Sequence, residues 1–386
     1  MTNSVDSEVE YAITSARQFR RFALMVSLIG VVLQFGLSTY YLKVGHAPRP
    51  RDVPVGVIGS AQQRQPVVDL IEQQGGFRIT VYDSVESLST AVARRRSFGG
   101  LDLSGPTAHL YLSTAAGPTA ATYMRTAFVT AIQQRIGVQV ADLVKAGRPV
   151  PASTVAGLTA PPAVTDLASL PSNDKYGSAL GFLVQALALG GTIASAGLGT
   201  LIPRTRRSVK RGVGHLATLV VYAVGSAAAV LVSMSLFGIG GDASKLALFG
   251  EFFLVSLAIT GSIAAFVALV GPAGMAAGLI YFGVGTVISG ASIPSEFLPS
   301  VARILGQALP TGAGAHAVRD SLYFPHAPVV GPILILSAYA AVGCLIVLIT
   351  NVHSNNADRS SELPTIAPHY GKSARGPDAE ISIGSG

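Results

Sequence analysis

The stretch ALPTGAGAHAVRDSLYF, Ala308–Phe324, lies between two long apolar runs yet carries a proline, two spaced glycines, a histidine, an arginine and an aspartate. Whether its surroundings, Ile293–Pro328, cross a membrane or turn back decides the fold. Crossing would bury Glu296, Arg303, Arg319 and Asp320, and a central Arg, Lys or Asp costs about 2.5–3.5 kcal/mol on an insertion scale. Four such charges argue against a span. Helical spacing places Phe297, Val301, Ile304, Leu305 and Ala308 on one face and Ser300, Arg303 and Gln307 on another. The sequence then predicts a break at Pro310–Gly314 and a second short helix, His316–Tyr323, carrying Arg319 and Asp320. Two short helices about a Pro-Gly corner form a re-entrant hairpin, which is tolerated at membrane depth only where it packs on protein or lines a water-filled cavity. The segment reads as an outer lid on a helix bundle. The plainer alternative is an interfacial anchor for the apolar run that follows.

The rest of the chain supplies that bundle. It is 49% hydrophobic and 12% charged, with a mean hydropathy of +0.51, which is too apolar for an ordinary soluble protein. Nearly uncharged runs long enough to cross a bilayer are Phe22–Leu42, Tyr176–Ile202, Val213–Gly238, Leu246–Val270, Ala273–Ala291 and Val329–Thr350. The reading is therefore a polytopic α-helical membrane protein of six spans, the fourth and fifth forming a hairpin about the turn Gly271–Gly274. Arg17, Arg20 and Arg21 precede the first span, and Arg204, Arg206, Arg207, Lys210 and Arg211 follow the second without any acid between them. Short segments rich in Lys and Arg stay in the cytoplasm. Both termini are thus expected to be cytoplasmic in a bacterial plasma membrane, and the net charge of +7 is a matter of topology rather than of nucleic-acid binding. A cleaved signal peptide ending near Gly45-His46-Ala47 is disfavoured because Pro48 follows. Tyr40, Tyr41, Tyr176 and Tyr323 sit where an aromatic belt would lie.

Between Lys43 and Lys175 charges of both signs return, marking an extracytoplasmic domain. VPVGVIG, Val53–Gly59, reads as a strand, with Ser60 capping a helix over Ala61–Gln74. FRITVYD alternates as a strand does, Asp83 and Glu86 suggest a capping box for Val85–Arg96, GGLDL and AHLYLST read as strands, and Pro118 opens a helix to Ile136. The order β-α-β-α-β-β-α implies a small mixed α/β domain. Gly147–Asn173, rich in proline, reads as a semi-extended linker back to the membrane. Arg94–Arg96 is either a contact for acidic lipid or wall polymer, or a solvated helix C-terminus favoured by the helix dipole. The sole cysteine, Cys344, falls in the last span, so the outer domain relies on packing rather than disulfides.

Catalytic motifs are missing. The tail holds GKS at Gly371–Ser373, but the first P-loop glycine is replaced by Ile366. Neither H-E-x-x-H nor G-x-S-x-G occurs, and the seven histidines lack ligand spacing. No catalytic residue, metal or cofactor is expected. Glu251 is the sole acid within the spans, either an interfacial carboxylate reaching water or part of a pathway or dimer interface. Glycines crowd the second and fifth spans, as close helix packing requires. Residues 1–21 read as a cytoplasmic N-terminal amphipathic segment, and the tail 351–386 reads as disordered or as a cleavage or docking peptide.

The carrying motifs are VPVGVIG, RRRSFGGLDL, IPSEFLP (Ile293–Pro299) and, most specifically, LPTGAGAHAVRDSLYF. Together with the order of spans they resemble the ABC type-2 transporter permeases, above all their phage-infection-protein-like branch in Gram-positive, actinobacterial-looking bacteria. The resemblance covers nearly all the chain up to Asn351. It implies a homodimer or a pair with a related permease, an outward path for substrate, contact with membrane lipids and a separate cytoplasmic P-loop ATPase. On that basis Pro310, Gly312, Arg319, Asp320 and Tyr323 would form the outer lid, with Glu251 along the path, and Arg204–Arg211 the ATPase-coupling loop, although this loop is short and lacks the carboxylate of well-coupled exporters. The stretch Glu10–Arg21 would then lie along the inner leaflet. Two further readings stand beside the exporter: a non-transporting scaffold or receptor whose outer domain binds an envelope component or partner protein, and a proton-coupled carrier, which the scarcity of membrane acids disfavours.

Overall fold

The structure is a computed structural model. It describes residues 48–105, 107–152, 154–155, 162–201 and 209–360, with residue 21 and most positions from 24 to 45. Residues 1–20, the cations Arg204, Arg206 and Arg207, and the tail from 361 lie outside the described residues.

The first described element is a helix, α1, between residues 21 and 45. An α/β domain follows: β1 (Val53–Ile58), α2 (Ala61–Gln74), β2 (Phe77–Val81), α3 (Val85–Ala93), β3 (Gly99–Asp102), β4 (His109–Leu112), α4 (Pro118–Lys145) and β5 (Ala163–Asp166). The sheet order is β2-β1-β3-β4-β5, with β1 parallel to both β2 and β3, β4 antiparallel to β3, and β5 parallel to β4. Val53, Val55, Val57 and Ile58 are all buried because β1 is an interior strand, between β2 and β3, covered on both faces. Val67 and Ile71 of α2 share one core with Met124 and Phe128 of α4. Leu88 and Val92 of α3 form a separate cluster with Ile58 and Tyr82. The helices leaving β1 and β2 thus pack in different layers, as right-handed crossovers require.

Three expectations for this domain need correction. The capping box of α3 is Ser84 with Ser87, each bonding the other's backbone N–H at 3.2 Å, rather than Asp83 with Glu86; the shorter hydroxyls close the box. Helix α4 runs on to Lys145, because the one glycine beyond Ile136 costs only about 1 kcal/mol and no proline stops it. The supposed linker contributes β5, which satisfies the open edge of β4. Its Asp166 accepts from the backbone and the hydroxyl of Thr114 at 3.2 and 2.5 Å.

The apolar part comprises α5 (Ala179–Leu201), α6 (Val209–Leu236), α7 (Lys245–Val270), a 3₁₀ turn at Gly271–Met275, α8 (Ala276–Leu279), a π-helical turn at Ile280–Gly285, α9 (Ser300–Ala308), α10 (Pro310–Tyr323) and α11 (Val330–Ser360). Among the described residues four helical stretches are long and apolar enough to cross a membrane: Ala179–Gly197, Val209–Leu236, Lys245–Ile288 and Val330–Asn351. The third has 44 residues, more than twice the roughly 20 that one span needs, and it folds back at the 3₁₀ turn. Gly274 lies against the backbone of Phe266 and Val267 with no room for a Cβ. The returning limb runs antiparallel to α5 and α7: Gly278 faces Thr192, Gly181 faces Ser292, and the Tyr281 hydroxyl donates to Ser262 Oγ at 3.1 Å. Tyr41 of α1 donates to the carbonyl of Gly283 at 2.5 Å. Asp174 caps α5, accepting from the backbone of Ser178 at 3.0 Å and of Ala179 at 3.3 Å. Helix α11 continues to Ser360, so the first part of the tail, 351–360, is helical rather than disordered; residues 351–360 contain neither proline nor glycine.

Candidate functional site

The stretch Ala308–Phe324 holds one continuous helix rather than a broken one. Leu309 is extended (φ −81°, ψ 152°) and Pro310 occupies the first helical turn of α10, where its missing N–H costs nothing and its fixed φ fits. The expected break at Pro310–Gly314 is therefore displaced to the single residue Leu309. The glycines serve approach rather than flexure. Gly306 lies on the carbonyl of Ile288, Gly312 on that of Gly306, and Gly314 against Val255 of α7.

These contacts draw α10 into the middle of the bundle. It packs against α5, α7, α9, α11 and the π-helical turn, and Pro310–Ala315 and Ala317–Asp320 are all buried. Gly314 meets Val255, about 15 Å along α7 from Lys245 at 1.5 Å per residue. Helix α9 turns its apolar residues Val301, Ile304 and Leu305 outward and keeps Gln307 inside, where Nε2 donates to the carbonyl of Ser289 at 3.2 Å.

At the end facing the α/β domain, α10 carries the charges that exclude a span, and both are buried rather than interfacial. Asp320 is 1% exposed, and its Oδ1 accepts from Arg95 Nη1 at 2.5 Å. Its Oδ2 lies 3.3 Å from His316 Nε2, and His316 Nδ1 lies 3.0 Å from Gln307 Oε1. The neighbouring Arg319 donates to the carbonyl of Ala291 at 2.6 Å; burial lowers its pKa to about 10, with the charge of Arg95 acting the same way and Glu296 and Asp320 opposing. Glu251, expected at the interface, is 4% exposed. Its Oε1 accepts from Ser321 Oγ at 2.5 Å, while its Oε2 has no hydrogen-bond partner. Tyr323 joins the core of the α/β domain instead of an aromatic belt, and burial pushes its phenol up to about 12, reinforced by Asp174 and opposed by Arg319.

Arg95 comes from the other side of the domain interface. It follows α3 with a left-handed backbone (φ 52°), a conformation of the strained kind that surrounding contacts must hold in place. Its guanidinium lies 5.7 Å from the centroid of the Phe324 ring. Arg95 is therefore not part of a solvated terminus, whereas its neighbours Arg94 and Arg96 are exposed. Beside it, Arg51 donates from its backbone to the carbonyl of Glu296 at 2.8 Å and from Nη1 to that of Phe297 at 2.7 Å. The Phe297 ring lies 5.4 Å from that of Tyr123. Phe297 and Phe324 belong to the same buried cluster as Met124 and Phe128, so the α/β domain and the hairpin share one core.

Arg319, Asp320, Tyr323 and Glu251 thus lie at the domain end of the bundle, whereas Pro310 and Gly312 stand at the opposite end of α10, whose 14 residues span about 20 Å. Lys210 and Arg211 are apart from it, on the first turn of α6. Sequence reasoning missed Arg95, Gln307, Ser321 and the role of His316. Arg95 was visible only as the middle of three arginines, and nothing local distinguishes it.

No family model matches the chain, and no curated protein or solved structure does either.

Proposed function

We propose that this chain is the membrane subunit of an ABC type-2 exporter, a six-span permease of the plasma membrane with both termini cytoplasmic. It pairs with a second copy or a related permease and moves a lipid-linked, polymeric or amphipathic substrate outward. A separate P-loop ATPase supplies the energy, since the chain carries no nucleotide motif. One observation carries the reading: a glycine- and alanine-rich helix, α10, fills the middle of the bundle at its domain end and is fastened to the α/β domain through Arg95 and Asp320. A bundle whose exit is plugged by a helix tied to an external domain suits a gate that domain movement opens. The six-span reading counts the fold-back stretch Lys245–Ile288 as two spans and α1 as one, beside the three other candidate spans.

The receptor reading is favoured by a different feature. A cavity of ≈ 520 Å³ lies at the C-terminal ends of β1, β2 and β3, with Arg64, Tyr82, Asp83, Glu86 and Asp102 in its wall, the place where open α/β sheets bind ligands.

Affinity purification of the tagged chain from native membranes, with mass spectrometry of what accompanies it, separates the two. A stoichiometric P-loop ATPase, lost when Arg204, Arg206 and Arg207 are replaced by serine, is the expected outcome. A preparation containing the chain with envelope proteins alone refutes the exporter.

A further inference from the structure

Glu251 sits just beneath a solvent-facing cavity of ≈ 460 Å³ on the domain side. The cavity lies between the α6–α7 loop and the end of α10, with exposed Asp242 and Pro325 at its rim and Asp320, Ser321 and Ala247 among its lining residues. Two of these residues lead to Glu251: Ala247 precedes it by one turn of α7, and Ser321 donates to its Oε1 at 2.5 Å. Its other oxygen, Oε2, is buried and unpartnered.

The charges around it are unevenly matched. Asp320 holds Arg95 and faces His316, and Arg319 lies within electrostatic reach of Glu296 and Asp320. No ion pair among the described residues reaches Glu251. Lys245 and Asp242 are exposed at the start of α7 and on the loop before it. Helix α5 and the α11 stretch Val330–Asn351 contain no Asp, Glu, Lys or Arg, while Lys210, Arg211 and His215 of α6 lie at its opposite end. A buried carboxylate with one bare oxygen and no counter-ion is among the costliest arrangements in an apolar interior, whereas the neutral acid leaves only a carbonyl oxygen unpartnered.

We propose that Glu251 is a proton-binding site loaded from the domain side of the membrane through Ser321. In the unloaded state Ser321 Oγ–H donates to the Glu251 carboxylate. On loading, that proton passes to Oε1 while Oγ takes one from a hydronium ion in the cavity, releasing water. Oε1–H then donates to Oγ, the new Oγ–H points to the cavity, and Oε2 becomes the carbonyl. One proton enters and one positive charge is gained, with no other bond changed. Intramembrane carboxylates that change protonation in this way mark proton relays in pumps and carriers. The site does not depend on an ATPase partner, so its failure and that of the exporter reading are separable.

Infrared difference spectroscopy on the full chain in lipid vesicles, stepped between low and high pH, tests it. The expected result is a carboxylic-acid C=O band, at the high frequency of a carbonyl without a hydrogen-bond donor, that Glu251→Gln removes. Ser321→Ala slows deuterium exchange of the acid proton several-fold, and Ser321→Thr restores it. Wild-type and Glu251→Gln spectra that coincide in this region overturn the proposal. Because Glu251→Gln can disturb folding, Ser321→Ala serves as an independent test: exchange at the wild-type rate also overturns it. A Glu251-dependent signal that disappears when sodium is replaced by choline assigns the site to a metal cation instead and overturns it too.

Discussion

Replacing Arg95 by alanine should loosen the α/β domain from the bundle by a measurable amount. The pair joins an arginine with a 12%-exposed side chain to an aspartate at 1%. Removing one partner of a buried pair costs about 3–5 kcal/mol, because the other charge is left without compensation. The Arg95 side chain keeps 12% exposure, so the pair is not wholly desolvated and the lower end, about 3 kcal/mol, is expected. Asp320→Asn should cost less, about 1.5–2 kcal/mol, the low end of the scale for a hydrogen bond to a charged group, since the amide keeps an acceptor for Arg95 and Arg95 is the more exposed of the two. The double variant Arg95→Ala/Asp320→Asn should then fall short of the sum by about 2 kcal/mol, as contacting residues do. Denaturant titration of the four proteins in detergent, followed by circular dichroism, gives the cycle. Hydrogen exchange should place the loss in α3, β3 and α10, while α6 and α11 keep their protection. An Arg95→Ala protein within about 0.5 kcal/mol of wild type, the range of ordinary surface substitutions, refutes the clamp.

Gly306→Ala should destabilise strongly, by about 1–3 kcal/mol or more, because the new methyl group meets the carbonyl of Ile288, whereas Gly250→Ala, with open space around it, should be silent; equal melting temperatures for the two variants would contradict the packing of α9. On a Cys344→Ser background, a membrane-impermeant maleimide applied to intact cells should label Asp83→Cys and spare Lys210→Cys, and the reverse pattern would invert the proposed orientation.

The apolar helices compatible with a membrane protein and the α/β order were legible because they rest on long-range averages: apolar run length and strand alternation. What stayed hidden depends on partners far away in sequence. Gly312 and Gly314 look like breakers when read alone, yet they are the sites where the carbonyl of Gly306 and Val255 come close. The charge of Arg319 and Asp320 says nothing of their burial: Asp320 is 1% exposed and is met by Arg95, 225 residues away. β5 could not be seen because its four residues are exposed and show no alternation; the unpaired edge of β4 makes it a strand. Ser321 and Glu251 meet across 70 positions, a pairing that no local pattern encodes.

The short strand β5 also governs how the α/β domain can move. From Asp166 the chain is tied at once: the backbone N–H of Leu170 donates to Thr114 Oγ1 at 3.0 Å, the Asn173 amide donates to the carbonyls of Phe237 and Gly238, each at 2.7 Å, and Asp174 caps α5. There is no slack between sheet and bundle on this side. A domain held in this way cannot swing like a bead on a string. A tilt of the sheet would therefore be transmitted as torque to the head of α5 and to the α6–α7 loop, with the shared core at Phe297 and Phe324 as its fulcrum.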